Sequence, residues 1–152
     1  MRITEHFSLS EFVESETARR KKIDNNPSAE IILRIMNLCT QVLEPLRLKY
    51  GSPITVTSGY RCPLLNKAVG GAADSQHMRG EAADIKGKSP SDNMQLFHLI
   101  REMHIFDQVI CEEYDPHTNT CAWVHVSLKM DGVNRSRALI KYKGRKGYFN
   151  WT

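Results

Sequence analysis

The stretch between Pro27 and Gly51 constrains this chain most. Its apolar positions are Ile31, Ile32, Ile35, Leu38, Cys39, Val42, Leu43, Leu46 and Leu48. Steps of three and four make a broad stripe with a helical period. A stripe that wide must be covered by another layer, so the chain needs a partner surface for it. Pro27 and Ser28 open the helix, Pro45 predicts a kink, and Gly51 followed by Pro53 ends it.

The remaining segments supply that layer. Residues 54–60 alternate as a half-buried strand, and Glu81 to Ile85 reads as a short one. Three further strands are expected over 108–113, 121–128 and 138–143, joined as a β-meander by turns at 115–120 and Asp131-Gly132. Ser89-Pro90 opens a helix carrying Met94, Leu96, Phe97, Leu99, Ile100 and Met103. At the N-terminus, Ser8-Leu9-Ser10-Glu11 has the form of a capping box, with Phe7 and Phe12 placed as a hydrophobic staple. A helix over about 9–21 follows from it. Residues 61–80 read as a long loop, a length that is often functional. Helices first and then mostly antiparallel strands give one α+β domain over residues 1–152.

Composition excludes several classes. With 41% hydrophobic and 25% charged residues, the chain is neither disordered nor fibrous. No apolar run reaches about 18 residues, so no membrane span is expected. Met1 to Phe7 lacks a secretory pattern, which gives the expectation of a cytoplasmic product, taken as a monomer. Net charge is +4, which favours anionic partners, cell-wall polymers or nucleic acid among them. The excess gathers at Arg19 to Lys22 and at Lys141 to Lys146, both readable as solvated surface. The cysteines Cys39, Cys62, Cys111 and Cys121 show no metal-knuckle or redox spacing and read as free thiols. A Cys111–Cys121 bridge stays open as an alternative.

His77, Asp84 and His125 stand out chemically. His77 and Asp84 are seven apart with Gly80 between them, so a loop histidine can fold back beside a strand carboxylate. Asp84 lies among Ala82, Ala83 and Ile85, where a buried acid needs a partner. His125 lies between Val124 and Val126, sharing its strand face with Trp123. Two imidazoles and a carboxylate make a mononuclear zinc set with one open position, the arrangement of a catalytic site. Taken singly, each residue also has an ordinary reading as a loop histidine, a turn acid or a core histidine.

The motifs around the trio run in order. They are Ser58-Gly59-Tyr60-Arg61, Leu65-Asn66, Gly70-Gly71, Ser75-Gln76-His77 and Gly80-Glu81-Ala82-Ala83-Asp84, then Phe106 to Glu112 and Trp123 to Ser127. In this order they resemble the peptidase M15 family of zinc D-Ala-D-Ala carboxypeptidases and phage endolysins, most of all its short single-domain branch. The resemblance covers about Phe7 to Arg135. It implies the Hedgehog/DD-peptidase fold, an antiparallel sheet backed by helices with zinc in a cleft. It further implies His77, Asp84 and His125 as zinc ligands, Arg61 as the arginine that contacts substrate and polarises the scissile carbonyl, and a peptidoglycan stem peptide as substrate.

One position departs from the family pattern. Many members carry a carboxylate three residues before the last histidine, and here that residue is Ala122. Residues 108, 110 and 112 share a strand face, so Glu112 is the expected replacement base, with Gln108 beside it toward substrate. Trp123 and Tyr60 are expected to shape the cleft. Glu112 could instead be a solvated edge residue. Two other functions compete. Ala122 favours a catalytically impaired zinc-binding domain, structural or wall-binding, of a phage particle. The basic residues from Arg135 to Lys146, with Tyr142, Tyr148, Phe149 and Trp151, admit nucleic-acid binding, although that composition more often marks a solvated strand end.

Overall fold

The computed structural model describes all 152 residues. The apolar stripe forms one long helical rod in three parts: α3 (Ala29–Leu38), a π-helical turn (Cys39–Leu43) and α4 (Glu44–Tyr50). Ser28 caps its start by accepting from the Ile31 N–H, and Gly51, at φ +78°, ends it. The irregularity foreseen at Pro45 lies just ahead of it, as a π turn in which the Glu44 N–H reaches the Cys39 carbonyl. Proline has no N–H to return to residue 41, so a wider turn there re-pairs the backbone.

Upstream, the expected helix over 9–21 is divided into α1 (Ser10–Val13) and α2 (Glu16–Lys21). Ser15 explains the break: extended, with its hydroxyl accepting from the Ala18 N–H, it starts α2 as a cap. Half of the anticipated capping box is present, the Ser8 N–H donating to Glu11 Oε2. Phe7 and Phe12 meet as the staple required, ring centroids 6.3 Å apart.

Six strands build the sheet: β1 (Thr55–Ser58), β2 (Ala82–Lys86), β3 (Gln108–Tyr114), β4 (Trp123–Ser127), β5 (Arg137–Tyr142) and β6 (Phe149–Asn150). Their spatial order is β1-β2-β4-β3-β5-β6. The expected meander is therefore corrected. β5 does not lie beside β4 but pairs parallel with β3, and β6 was not foreseen. The reason is that β2 already occupies the second edge of β4. The chain must cross to the free edge of β3. Buried Asp107 fixes the crossing: it accepts from the Arg135 N–H and guanidinium on one side and from Gln76 Nε2 on the other.

One sheet face carries Ala83, Ile85, Val109, Cys111, Val124, Val126 and Ile140. It packs on the rod and on α6 (Pro90–Met103) to form the core. All four cysteines are free, with Cys39, Cys111 and Cys121 buried, so the alternative bridge is absent. The opposite face is left for chemistry. No helix is long and apolar enough to cross a membrane.

Candidate metal centre

Strand register assembles the site. Asp84 on β2 pairs with His125 on β4, which pairs with Ile110 on β3, which pairs with Leu139 on β5. Alternation puts Glu112 and Gln108 of β3 on that same face. His77 arrives from outside the sheet, on a 3₁₀ turn (Gln76–Arg79) that ends at Gly80, φ +74°. A side chain at Gly80 would collide with the α3 backbone, its Cβ falling 2.8 Å from the Ile31 carbonyl oxygen. The tight return between His77 and Asp84 thus depends on glycine.

The ligand atoms of His77, Asp84 and His125 lie within 4.8 Å of one another. Asp84 Oδ1 is 3.0 Å from His125 Nδ1 and 3.4 Å from His77 Nε2. His77 Nδ1 sits 2.7 Å from the Gly59 carbonyl oxygen, which can only accept. The ring proton of the neutral imidazole is therefore on Nδ1, and burial favours that neutral form by lowering the His77 pKa. A bare Nε2 lone pair then faces a carboxylate oxygen. Two acceptors at that separation call for a cation between them. Burial pushes the Asp84 carboxyl up, but the hydrogen bond from His125 leads the effects that hold it well below the usual range. A ligand set of neutral imidazole and ionised carboxylate fits zinc. The Gly59 carbonyl also orients the His77 ring, as outer partners of metal ligands do.

Gly59 itself is a close-approach residue: a Cβ there would stand 2.5 Å from Phe12 Cα. The same segment delivers Arg61, whose N–H donates to the His77 carbonyl and whose Nη2 reaches Ser75 Oγ at 3.4 Å. Burial lowers the Arg61 pKa while the charge of Asp84 supports it. Its buried Nε has no partner. Part of the expected long loop is in fact helical, α5 (Pro63–Ala68), capped by Cys62. This six-residue helix buries only Leu65 and Asn66, too few to leave a periodic signal in the sequence.

A cleft of about 630 Å³ opens over the trio. Glu112, Gln108, Trp123 and Arg61 line it, as expected. Tyr60 does not. It is buried in the core, with its carbonyl taken by Asn25 Nδ2. The Ser-Gly-Tyr segment turns Gly59 and Arg61 toward the site and the tyrosine away from it. Glu112 is 8% exposed, and its buried Oε1 has no hydrogen-bond partner. Desolvation pushes its pKa up to about 7, opposed in part by His125. Ala122, by contrast, is exposed, and its N–H donates to the Glu112 carbonyl, so these two positions are backbone neighbours.

A model of the peptidase M15 family matches residues 5–127. The chain belongs to the peptidase M15 family. Among curated proteins, the zinc D-Ala-D-Ala carboxypeptidase of Streptomyces albus G is 36% identical to this M15 chain over 78 residues. Those residues are 51% of this chain and 30% of that protein, so the match spans under a third of the relative's length.

Several cleft residues of the M15 chain escaped the sequence. Arg137 lines it from β5 and Tyr148 from the turn before β6. Asp107 and Gln76 brace it from beneath, although both stand inside quoted motifs. The segment suspected of nucleic-acid binding is largely engaged elsewhere. Arg135 is held by Asp107, Lys141 by Glu113, and Trp151 packs on Phe97.

Proposed function

We propose that this chain is a single-domain zinc metallopeptidase of Hedgehog/DD-peptidase fold that hydrolyses peptidoglycan stem peptides at a bond involving a D-amino acid. The observation that carries the reading is the Nε2 lone pair of His77 facing Asp84 Oδ1 beside His125, with the unpaired Glu112 carboxylate in the same cleft. His77, Asp84 and His125 would hold the zinc. Bound there, it would supply Lewis acidity toward a carbonyl and toward water.

The chain's own residues do the rest. Glu112, in the cleft with an unpartnered carboxylate oxygen, is placed to take a proton from the attacking water. It then passes that proton to the leaving amine. Arg61, lining the cleft, brings its guanidinium charge to the developing oxyanion. Trp123 and Gln108 line the path of the peptide. A carboxypeptidase, as the Streptomyces relative is named, is one version, and an endolysin-type endopeptidase is the other. In the endolysin version the chain is made in the cytoplasm and reaches the wall after release.

A second reading rests on Ala122. Without the acid the family pattern places there, the chain would bind zinc in a phage particle and cut nothing. Mass spectrometry of peptidoglycan digested with zinc-loaded protein separates the two and locates the bond. The peptidase reading expects new amino termini at one bond type. It also expects His125→Ala to lose both bound zinc and digestion. Digestion by that variant at the wild-type rate would sink it.

A further inference from the structure

The cleft extends past the metal trio onto strands that lie outside the family match, which stops at residue 127. Arg137 and Leu139 line it from β5, and Tyr148 from the turn before β6. Arg137 begins β5 and stands in register with Gln108, two pairs below the row that holds His125. Two strand spacings and one two-residue step place its Cα about 12 Å from that of His125. An extended peptide covers that distance in about three to four residues.

The four cleft arginines are not equivalent. Arg79 is tied to Glu81, and Arg135 to Asp107. Arg61 is half-buried beside Asp84. The Arg137 guanidinium has no acid within salt-bridge range and no hydrogen bond in the fold. The Tyr148 hydroxyl and the Gln108 carboxamide are likewise free of protein partners. Arg137 and Gln108, paired in register, therefore bring two free donors to one part of the cleft, whereas Tyr148 falls in line with Lys141, nearer Glu112. A guanidinium beside a carboxamide is a recognition pair for a carboxylate.

We propose that Arg137, with Gln108, forms a subsite for a free substrate carboxylate standing two or three residues from the scissile bond. The proposal rests on the peptidase reading only for the position of that bond. A γ-linked glutamyl residue provides such a group, since its α-carboxylate stays outside the peptide backbone. The subsite would thus select stem peptides in which this carboxylate is not amidated.

Calorimetry on the zinc-loaded full chain tests it. The probes are L-alanyl-γ-D-glutamyl-L-lysyl-D-alanyl-D-alanine and the same peptide with the glutamyl α-carboxylate converted to a carboxamide. The wild type should bind the carboxylate form about 10- to 100-fold more tightly, the range of a charge-assisted hydrogen bond. In Arg137→Gln the ratio should fall to near one, and Arg137→Lys should restore part of it. Melting temperature and zinc content establish that each variant is folded. Equal or absent binding of the two peptides by the wild type, or an unchanged ratio in Arg137→Gln, overturns the subsite. A preserved preference with no hydrolysis of either peptide would leave the subsite standing and remove the peptidase reading.

Discussion

The two ends of the cleft are built differently. At the metal end, each side chain is fixed by main chain or by burial. His77 is held by the Gly59 carbonyl, Asp84 and His125 by adjacent strands, and Arg61 by the His77 carbonyl. At the far end, Arg137 and Tyr148 are exposed side chains without partners on β5 and on the turn before β6. The first arrangement fixes geometry, as bond cleavage requires. The second leaves donors free to choose among ligands. The family match covers the first and not the second.

The largest effect on this contrast comes from Glu112, which sits between the two ends. Glu112→Gln keeps the shape and removes the base. Hydrolysis should fall about 10²- to 10⁴-fold with zinc content unchanged. A variant with full zinc and near-wild-type rate would shift the base to another residue. A variant that loses zinc would show that Glu112 supports the ligands rather than the proton transfer.

Asp107 ties the two ends together. It is fully buried and accepts from Arg135, ahead of β5, and from Gln76, which precedes His77. Burial alone would raise its pKa, but the Arg135 bonds and charge lower it. Asp107→Ala should cost about 3 kcal/mol by chemical denaturation, because the Gln76 amide is left buried and unpaired. Zinc affinity should fall along with stability. A stability loss with zinc affinity intact would mean that the two ends are mechanically separate.

These features differ in how far the sequence discloses them. The trio was legible because each member carries a local signature: Gly80 after His77, small residues around Asp84, valines around His125. The rod was legible because eight of the nine apolar residues keep one period, Leu48 alone falling on the exposed side. The crossing of β5 was not, because strand partners are chosen by which edge is already filled, a property of β2 and β4 rather than of β5. Tyr60 misled for a related reason. Its neighbours Gly59 and Arg61 both serve the site, yet the intervening side chain turns into the core. Arg137 and Tyr148 carry no motif; the register brings Arg137 beside Gln108, and Tyr148 reaches the cleft from the turn before β6.

A smaller effect concerns pH and the metal-free chain. The unfolded Glu112 loses its proton near 4.5, the folded one near 7. Between those values the folded state holds the extra proton, so stability falls as pH rises through the window and levels off above it. Glu112→Gln removes this titration. After chelation, the variant should gain on the wild type by about 1–3 kcal/mol between pH 5 and pH 8. Added zinc should narrow the gap, since a nearby cation favours the charged carboxylate. A gap that is flat across pH would mean that Glu112 is solvated in the folded chain.

The smallest effect lies at the tip of the far end. Arg145 stacks 5.3 Å from the ring centroids of both Tyr142 and Phe149, closing the β5–β6 hairpin. Arg145→Ala should loosen only that hairpin, by about 0.5–1 kcal/mol for an exposed stack. Hydrogen exchange reads it directly at Leu139 and Ile140, which pair with Asn150 and Phe149. Faster exchange there, with unchanged protection at Asp84 and His125, would confirm that the selecting end moves independently of the fixed one. Spread of the effect to β2 and β4 would show one rigid sheet instead, and Tyr148 would then be as firmly placed as the ligands themselves.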